Sequence, residues 1–115
     1  MLPSFMLQGI PVSRDTGMPI TVFRSRVHEE TRQAYVETGK KMAEIGSRMP
    51  GFVLIKTFRA DDGEQVTIVE FTSDEHQQAW ANHPEHLEAR KHGRETWFDE
   101  YDISVCEVIR RDKKP

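Results

Sequence analysis

FVLIKTFR (residues 52–59), ADDGE (60–64) and QVTIVEFT (65–72) follow one another without a break, and together they decide the fold. Two runs rich in Val, Ile, Thr and Phe flank Asp61-Asp62-Gly63-Glu64. An Asp-Gly pair between two β-branched runs is a strong short-range hairpin signal, because glycine supplies the positive φ that a tight turn needs. The spacing predicts strands over 52–59 and 65–72 joined by that turn.

On the N-terminal side, Pro50-Gly51 closes a helical pattern over 29–48, in which Ala34, Thr38, Met42, Ile45 and Met49 recur at spacings of four and three. Acids early and bases late in this helix suit its dipole. Before it, Ile20, Thr21, Val22, Phe23 and Val27 read as a strand opened by Pro19, where a missing N–H does least harm. On the C-terminal side, Thr72-Ser73-Asp74-Glu75 reads as a capping box for a short helix through Trp80. Asn82-His83-Pro84 interrupts it and starts a second helix, expected to reach about Glu100. Alternation from Tyr101 to Arg110 predicts a last strand. The order is β-α-β-β-α-β with the second helix split, an α+β, ferredoxin-like arrangement: an antiparallel sheet with helices on one face. Apolar residues fall on both sides of the second strand, with Phe52, Leu54 and Phe58 alternating against Val53 and Ile55. A sheet covered on one side only alternates more cleanly, so a second layer is expected on the open face, and a second copy of the chain is the simplest candidate.

The 115 residues fit one domain, organised as a leader or arm over 1–18, a folded unit over 19–110 and a tail over 111–115. The leader carries Leu2, Phe5, Met6, Leu7 and Ile10, which reads as a flexible segment or a surface-packed arm and lacks the features of a signal peptide. A formal charge of −3 and a short, interrupted basic tail argue against nucleic-acid binding. No apolar run is long enough to span a membrane. Cys106 is the one cysteine, which excludes an intrachain disulfide and suits a cytoplasmic protein.

Chemistry concentrates between Trp80 and Tyr101, which holds both tryptophans and three of the five histidines. On a helix from Pro84, residues His86, Arg90, Gly93 and Trp97 share one stripe, with Leu87, Arg94 and Phe98 beside it. Gly93 costs about 1 kcal/mol in a helix interior and so marks a close approach. His83 and His86 are candidate proton acceptors, although a histidine before Pro84 serves first as a helix-start residue. The metal motifs are missing: there is no cysteine pair and no His-Glu-x-x-His. Glu70 breaks an apolar run, so it either faces a pocket or pairs with a base such as Arg24, Arg26 or Lys56.

The element order, the corner Met49-Pro50-Gly51-Phe52, the run Ala79-Trp80-Ala81-Asn82-His83-Pro84-Glu85-His86, and then Ala89, Gly93-Arg94, Trp97-Phe98, Tyr101 and Ile103-Ser104-Val105 resemble the antibiotic biosynthesis monooxygenase (ABM) family. The resemblance covers about residues 19–110 and is nearest to an uncharacterised bacterial branch. It implies a dimeric ferredoxin-like α+β barrel with a pocket between sheet and helices. It also implies oxygenation of a small aromatic or quinol-like substrate with no cofactor, neither metal nor flavin. On that reading Trp80, Trp97 and Phe98 wall the pocket, His86 accepts a proton or orients the substrate, His83 is the alternate, Arg90 clamps an anion or carbonyl, and Glu70 is a further substrate contact. A non-catalytic small-molecule-binding or stress-related dimer is the rival from another class. The haem-degrading branch pairs a helix tryptophan, matched by Trp80, with an axial histidine, whose position falls near Arg90, and arginine cannot ligate iron. That branch also uses a first-strand asparagine, where this chain offers Arg24 and Ser25. The aromatic-polyketide oxygenases use asparagine and tryptophan on the third strand, where Thr67 and Phe71 stand.

Overall fold

A computed structural model describes residues 18–115; the apolar leader side chains Leu2 to Ile10 lie outside the described residues. The elements are β1 (Pro19–Val27), a 3₁₀ turn (Glu29–Thr31), α1 (Arg32–Ser47), β2 (Phe52–Arg59), β3 (Gln65–Phe71), α2 (Asp74–Ala81), α3 (Pro84–His92), a π turn (Gly93–Trp97) and β4 (Phe98–Glu107). The four strands form one antiparallel sheet in the order β2-β3-β1-β4. The hairpin forms as the Asp-Gly signal requires. Gly63 takes φ 91°. Glu64 N–H donates to Asp62 Oδ1 at 3.0 Å, and Ala60 N–H donates to the Glu64 carbonyl at 2.8 Å.

Three local expectations are corrected. The helix from Pro84 stops at His92 and passes through the π turn, so β4 begins at Phe98 rather than at Tyr101. Pairing explains the early exit: Phe98 lies opposite Val27, and His28 N–H donates to the Trp97 carbonyl at 2.8 Å. The sheet therefore claims Phe98 and Asp99, whose helix preference is weak, and Glu100 with them. The cap of α2 is Ser73, which accepts from His76 N–H at 3.1 Å, because Thr72 is still held by the Gly51 carbonyl at 2.8 Å. In α1 the inward stripe begins at Tyr35, with Ala34 exposed.

Strand alternation places Thr21, Phe23, Thr67, Val69, Ile103 and Val105 on the face beneath the helices. β2 departs from simple alternation. Phe52 lies opposite Phe71 and Leu54 opposite Glu70, so two steps along β2 meet one along β3. The extra residue, Val53, is a bulge that turns Phe52 onto the same side as Ile55, correcting the grouping of Phe52 with Leu54 and Phe58. The core lies at this end of the sheet. Val69, Phe71 and Trp80 are buried, with Met42, Ile45, Met49, Phe52 and Ile55 packed on them. The opposite face, which no helix among the described residues covers, carries Ile20, Val22, Leu54, Phe58, Val66 and Ile68.

Phe71 is only 1% exposed and meets Phe52 edge-on at 5.9 Å. Phe71→Ala is expected to lower stability by about 3–5 kcal/mol, read from urea denaturation.

Candidate functional site

A cavity of about 540 Å³ lies between the helix-bearing face of the sheet and the helices. Thr21, Phe23, Ile55, Thr67 and Val69 form its floor, and Tyr35, Met42 and Ala43 of α1 roof it. Trp80, His86, Arg90, Trp97 and Phe98 close it from α2, α3 and the π turn. On the β4 side Tyr101, Ile103 and Val105 line it while remaining between 41% and 53% exposed, so this flank opens to solvent. The volume is in the range of small-molecule sites, and the lining is mostly apolar with a few polar groups.

Local chemistry fixes the His86 ring. Pro84 opens α3 at a position where its lost donor is harmless, and one turn later His86 comes to stack on Trp80, with ring centres 4.3 Å apart and planes 12° from parallel. His86 Nδ1 sits 3.2 Å from the Trp80 carbonyl oxygen, which can only accept, so Nδ1 carries the proton and Nε2 is left as an acceptor. Burial, offset in part by backbone hydrogen bonding to Trp80 and reinforced by the charge of Arg90, pushes the His86 pKa down to about 4. Arg90, one turn on, donates from Nη1 to the Ala81 carbonyl at 3.4 Å. Charge along the lining is one-sided. Lys40, Arg90 and Arg94 border the cavity, and among the described residues no Asp or Glu does; the Lys56 ammonium lies over Phe58 on the other face of the sheet.

The structure brings together most of the residues singled out in the sequence. Trp80, His86, Arg90, Trp97 and Phe98 all border the cavity. Trp80 does so while buried in the core, so one side chain both fills the core and walls the cavity. His83 is not among the lining residues; it caps α3, its Nδ1 accepting from Glu85 N–H at 3.2 Å. Glu70 lies on the other face of the sheet, opposite Ile20 and Leu54, and receives a hydrogen bond from Arg111 Nη2 at 3.4 Å. It therefore takes no part in this cavity, and its base is Arg111 rather than Arg24, Arg26 or Lys56. Arg24 and Arg26 bind Glu64 and Asp62 instead. The close approach at Gly93 is to Phe98: a Cβ there would come within 2.5 Å of the Phe98 ring.

Sequence reasoning missed Tyr35 and Gln65 and gave Arg94, beside the stripe, no role; all three line the cavity. Tyr35 meets Trp97 and Phe98 edge-on at 6.0 and 5.4 Å. Its signal was present, since 35, 38, 42, 45 and 49 keep a strict three-four spacing. Burial raises the Tyr35 pKa, opposed by the nearby Ser25 and Thr67 hydroxyls.

The family model for antibiotic biosynthesis monooxygenases matches residues 18–92, well over half of the chain. The chain belongs to the ABM family. The uncharacterised protein YqjZ of Bacillus subtilis (strain 168) is 31% identical over 90 residues, covering 78% of this chain and 79% of that protein. Among solved structures, a Mycobacterium tuberculosis protein superposes with a TM-score of 0.75 at 15% identity, covering 84% of this chain and 99% of that one. SnoaB, described as a cofactor-independent oxygenase from Streptomyces nogalater, gives a TM-score of 0.71 at 20% identity over 86% of this chain and 98% of its own. At these identities the likeness to the solved structures is one of fold. Two further properties hold among the described residues of this ABM chain: no helix is long and apolar enough to cross a membrane, and no group of three or more His, Cys, Asp or Glu side chains is arranged to hold a metal ion.

The depressed His86 pKa makes stability depend on pH. The unfolded chain protonates this histidine near pH 6.5 and the folded one near 4, so between those values the unfolded state binds more protons. The His86 contribution is complete above about pH 6.5 and falls away as the pH drops towards 4, by on the order of 3 kcal/mol. His86→Phe is expected to show a smaller loss of urea stability between pH 7 and pH 4.5 than the parent protein.

Proposed function

We propose that this ABM-family chain is a monooxygenase for a small hydrophobic, aromatic, quinol-like substrate, using O2 and the substrate's own electrons. The observation that carries the reading is the pairing of a neutral imidazole, Nε2 free to accept, with the Arg90 guanidinium at the wall of an apolar cavity. An oxygenase of this kind first needs a substrate anion, since an electron-rich enolate or phenolate gives up an electron to O2 far more readily than the neutral molecule does. Arg90 stabilises that anion, and His86 accepts the hydrogen bond or the proton that the substrate releases. A pKa of about 4 makes isolated His86 a weak base. Proton transfer therefore depends on the anion forming beside it, which favours the imidazolium just as Arg90 disfavours it. For an anthrone, the member of the class with a ring CH2, the overall change converts that CH2 to a carbonyl. One oxygen atom of O2 ends in the carbonyl, and the other leaves as water with the two hydrogens. The substrate supplies all four electrons.

A second reading, a small-molecule-binding protein without catalysis, draws support from the same His86. Its hydrogen bond to the Trp80 carbonyl and its stacking on Trp80 are also what a structural histidine makes. Oxygen uptake separates the two. With a panel of quinols and anthrones, the parent protein is expected to consume O2, and His86→Ala to abolish the uptake. Arg90→Leu is expected to slow it by about a hundredfold. Cys106→Ala, an exposed position away from the cavity, leaves it unchanged. No uptake with any member of the panel would leave the binding reading standing.

The open sheet face supports a homodimer. Ile20, Val22, Leu54, Val66 and Ile68 are incompletely buried there, and Phe58 is 51% exposed, an apolar patch that a second copy would cover. Sedimentation is expected to show a particle of twice 13.4 kDa, and Phe58→Glu to reduce it to the monomer.

A further inference from the structure

The far end of the cavity holds polar groups that the oxygenation chemistry does not use. Gln65 is 8% exposed and lines the cavity at the start of β3. Its Oε1 is fully buried without a hydrogen-bond partner, as is the Oγ of Ser25, the residue directly across from it on β1. A buried amide oxygen with no partner costs as much as a lost hydrogen bond, so native structures rarely keep one without a use for it. The neighbouring hydroxyls leave it unserved. Thr57 and Thr67 are satisfied by each other at 2.8 Å. Tyr35 brings its hydroxyl near Ser25 and Thr67, yet no well-formed bond results and Ser25 Oγ stays unpartnered. Gln65 and Tyr35 thus offer an amide and a phenol at one corner of an otherwise apolar chamber.

Position makes this corner a separate subsite. His86 stacks on Trp80, which packs on Val69. Val69 and Gln65 are four steps apart along β3, roughly 13 Å in an extended strand. A ligand whose anionic group meets Arg90 beside His86 would reach the Gln65 corner only if it carried a second polar group at its other end.

We propose that Gln65, with Tyr35 beside it, forms a distal subsite that selects ligands bearing a hydroxyl at the end opposite their anionic group. A hydroxyl suits the site because it both donates and accepts, and so satisfies the Gln65 amide whichever way its oxygen and nitrogen are turned. The proposal rests on the reading of the cavity as the seat of an aromatic ligand. It refines that ligand to a flat, two-ended molecule of about two fused rings.

Isothermal titration calorimetry with 2-naphthoate and 6-hydroxy-2-naphthoate tests it. These probes share an anionic group and differ only in the distal hydroxyl. The parent protein is expected to bind the hydroxylated probe roughly two- to tenfold more tightly, the worth of one net hydrogen bond. Gln65→Leu removes the preference while keeping 2-naphthoate binding, and Arg90→Leu weakens both probes alike. Equal affinity for the two probes in the parent protein, or a preference that survives Gln65→Leu, overturns the subsite and leaves the cavity reading intact. Failure of both probes to bind overturns the aromatic-ligand reading and the subsite with it. Stability supplies an independent readout. With no ligand present, Gln65→Leu exchanges an unpartnered amide for an apolar side chain, so its melting temperature should equal or exceed that of the parent. A clear fall would make Gln65 a structural residue and overturn the proposal.

Discussion

Trp80 is the contact on which the other parts of the structure depend. It is 3% exposed and packs on Val69 and Phe71 of the sheet. A Cβ on Gly46 would lie 3.3 Å from its indole, so a larger residue there would press on the ring by a few tenths of an ångström. On its other side it stacks with His86. One indole therefore sets the distance of α1 from the sheet and the orientation of the ring at the cavity wall. A large, rigid side chain suits that task, since it buries much apolar area while having few internal rotations to lose. The arrangement also ties folding to chemistry: the burial that fixes the imidazole is what drives its proton off.

How far the sequence discloses this follows from the range over which each signal acts. The hairpin was legible because Asp62 and Gly63 act within five residues, and both strand starts, Phe52 and Gln65, are where the pattern puts them. The break before Pro84 was equally local. The end of the last helix was not. Its termination depends on Phe98 pairing with Val27, a residue 71 positions earlier, and no periodicity inside 84–100 records that demand. The bulge at Val53 escaped for the same reason: it is a relation between β2 and β3, and β2 alone reads as an unbroken strand.

At the cavity, the sequence favoured residues with conspicuous chemistry. His86, Arg90 and Trp97 were found from their shared helical stripe. Glu70 was misjudged because an acid within an apolar run signals that it has a partner, without saying on which face; the partner, Arg111, lies in the expected tail. Gln65 and Ser25 went unnoticed because a single Gln or Ser at a strand position is ordinary. They become unusual only when burial and the lack of a partner are seen together. The uniform positive charge of the lining is likewise invisible in a chain whose net charge is −3. It arises where α1, α3 and the π turn converge, while the acids lie on other surfaces.

The π turn at Gly93–Trp97 carries one residue more than an α-helical turn would. Each helical residue advances a side chain by about 100° around the axis. Losing a single residue from this turn would restore α geometry and swing Trp97 away from Tyr35, and gaining one would swing it the other way. The chamber can thus change its wall through a one-residue difference in length, with the sheet beneath it undisturbed. Divergence of ligand preference on this scaffold would then appear as small insertions and deletions just before β4 as readily as in the identities of the lining residues.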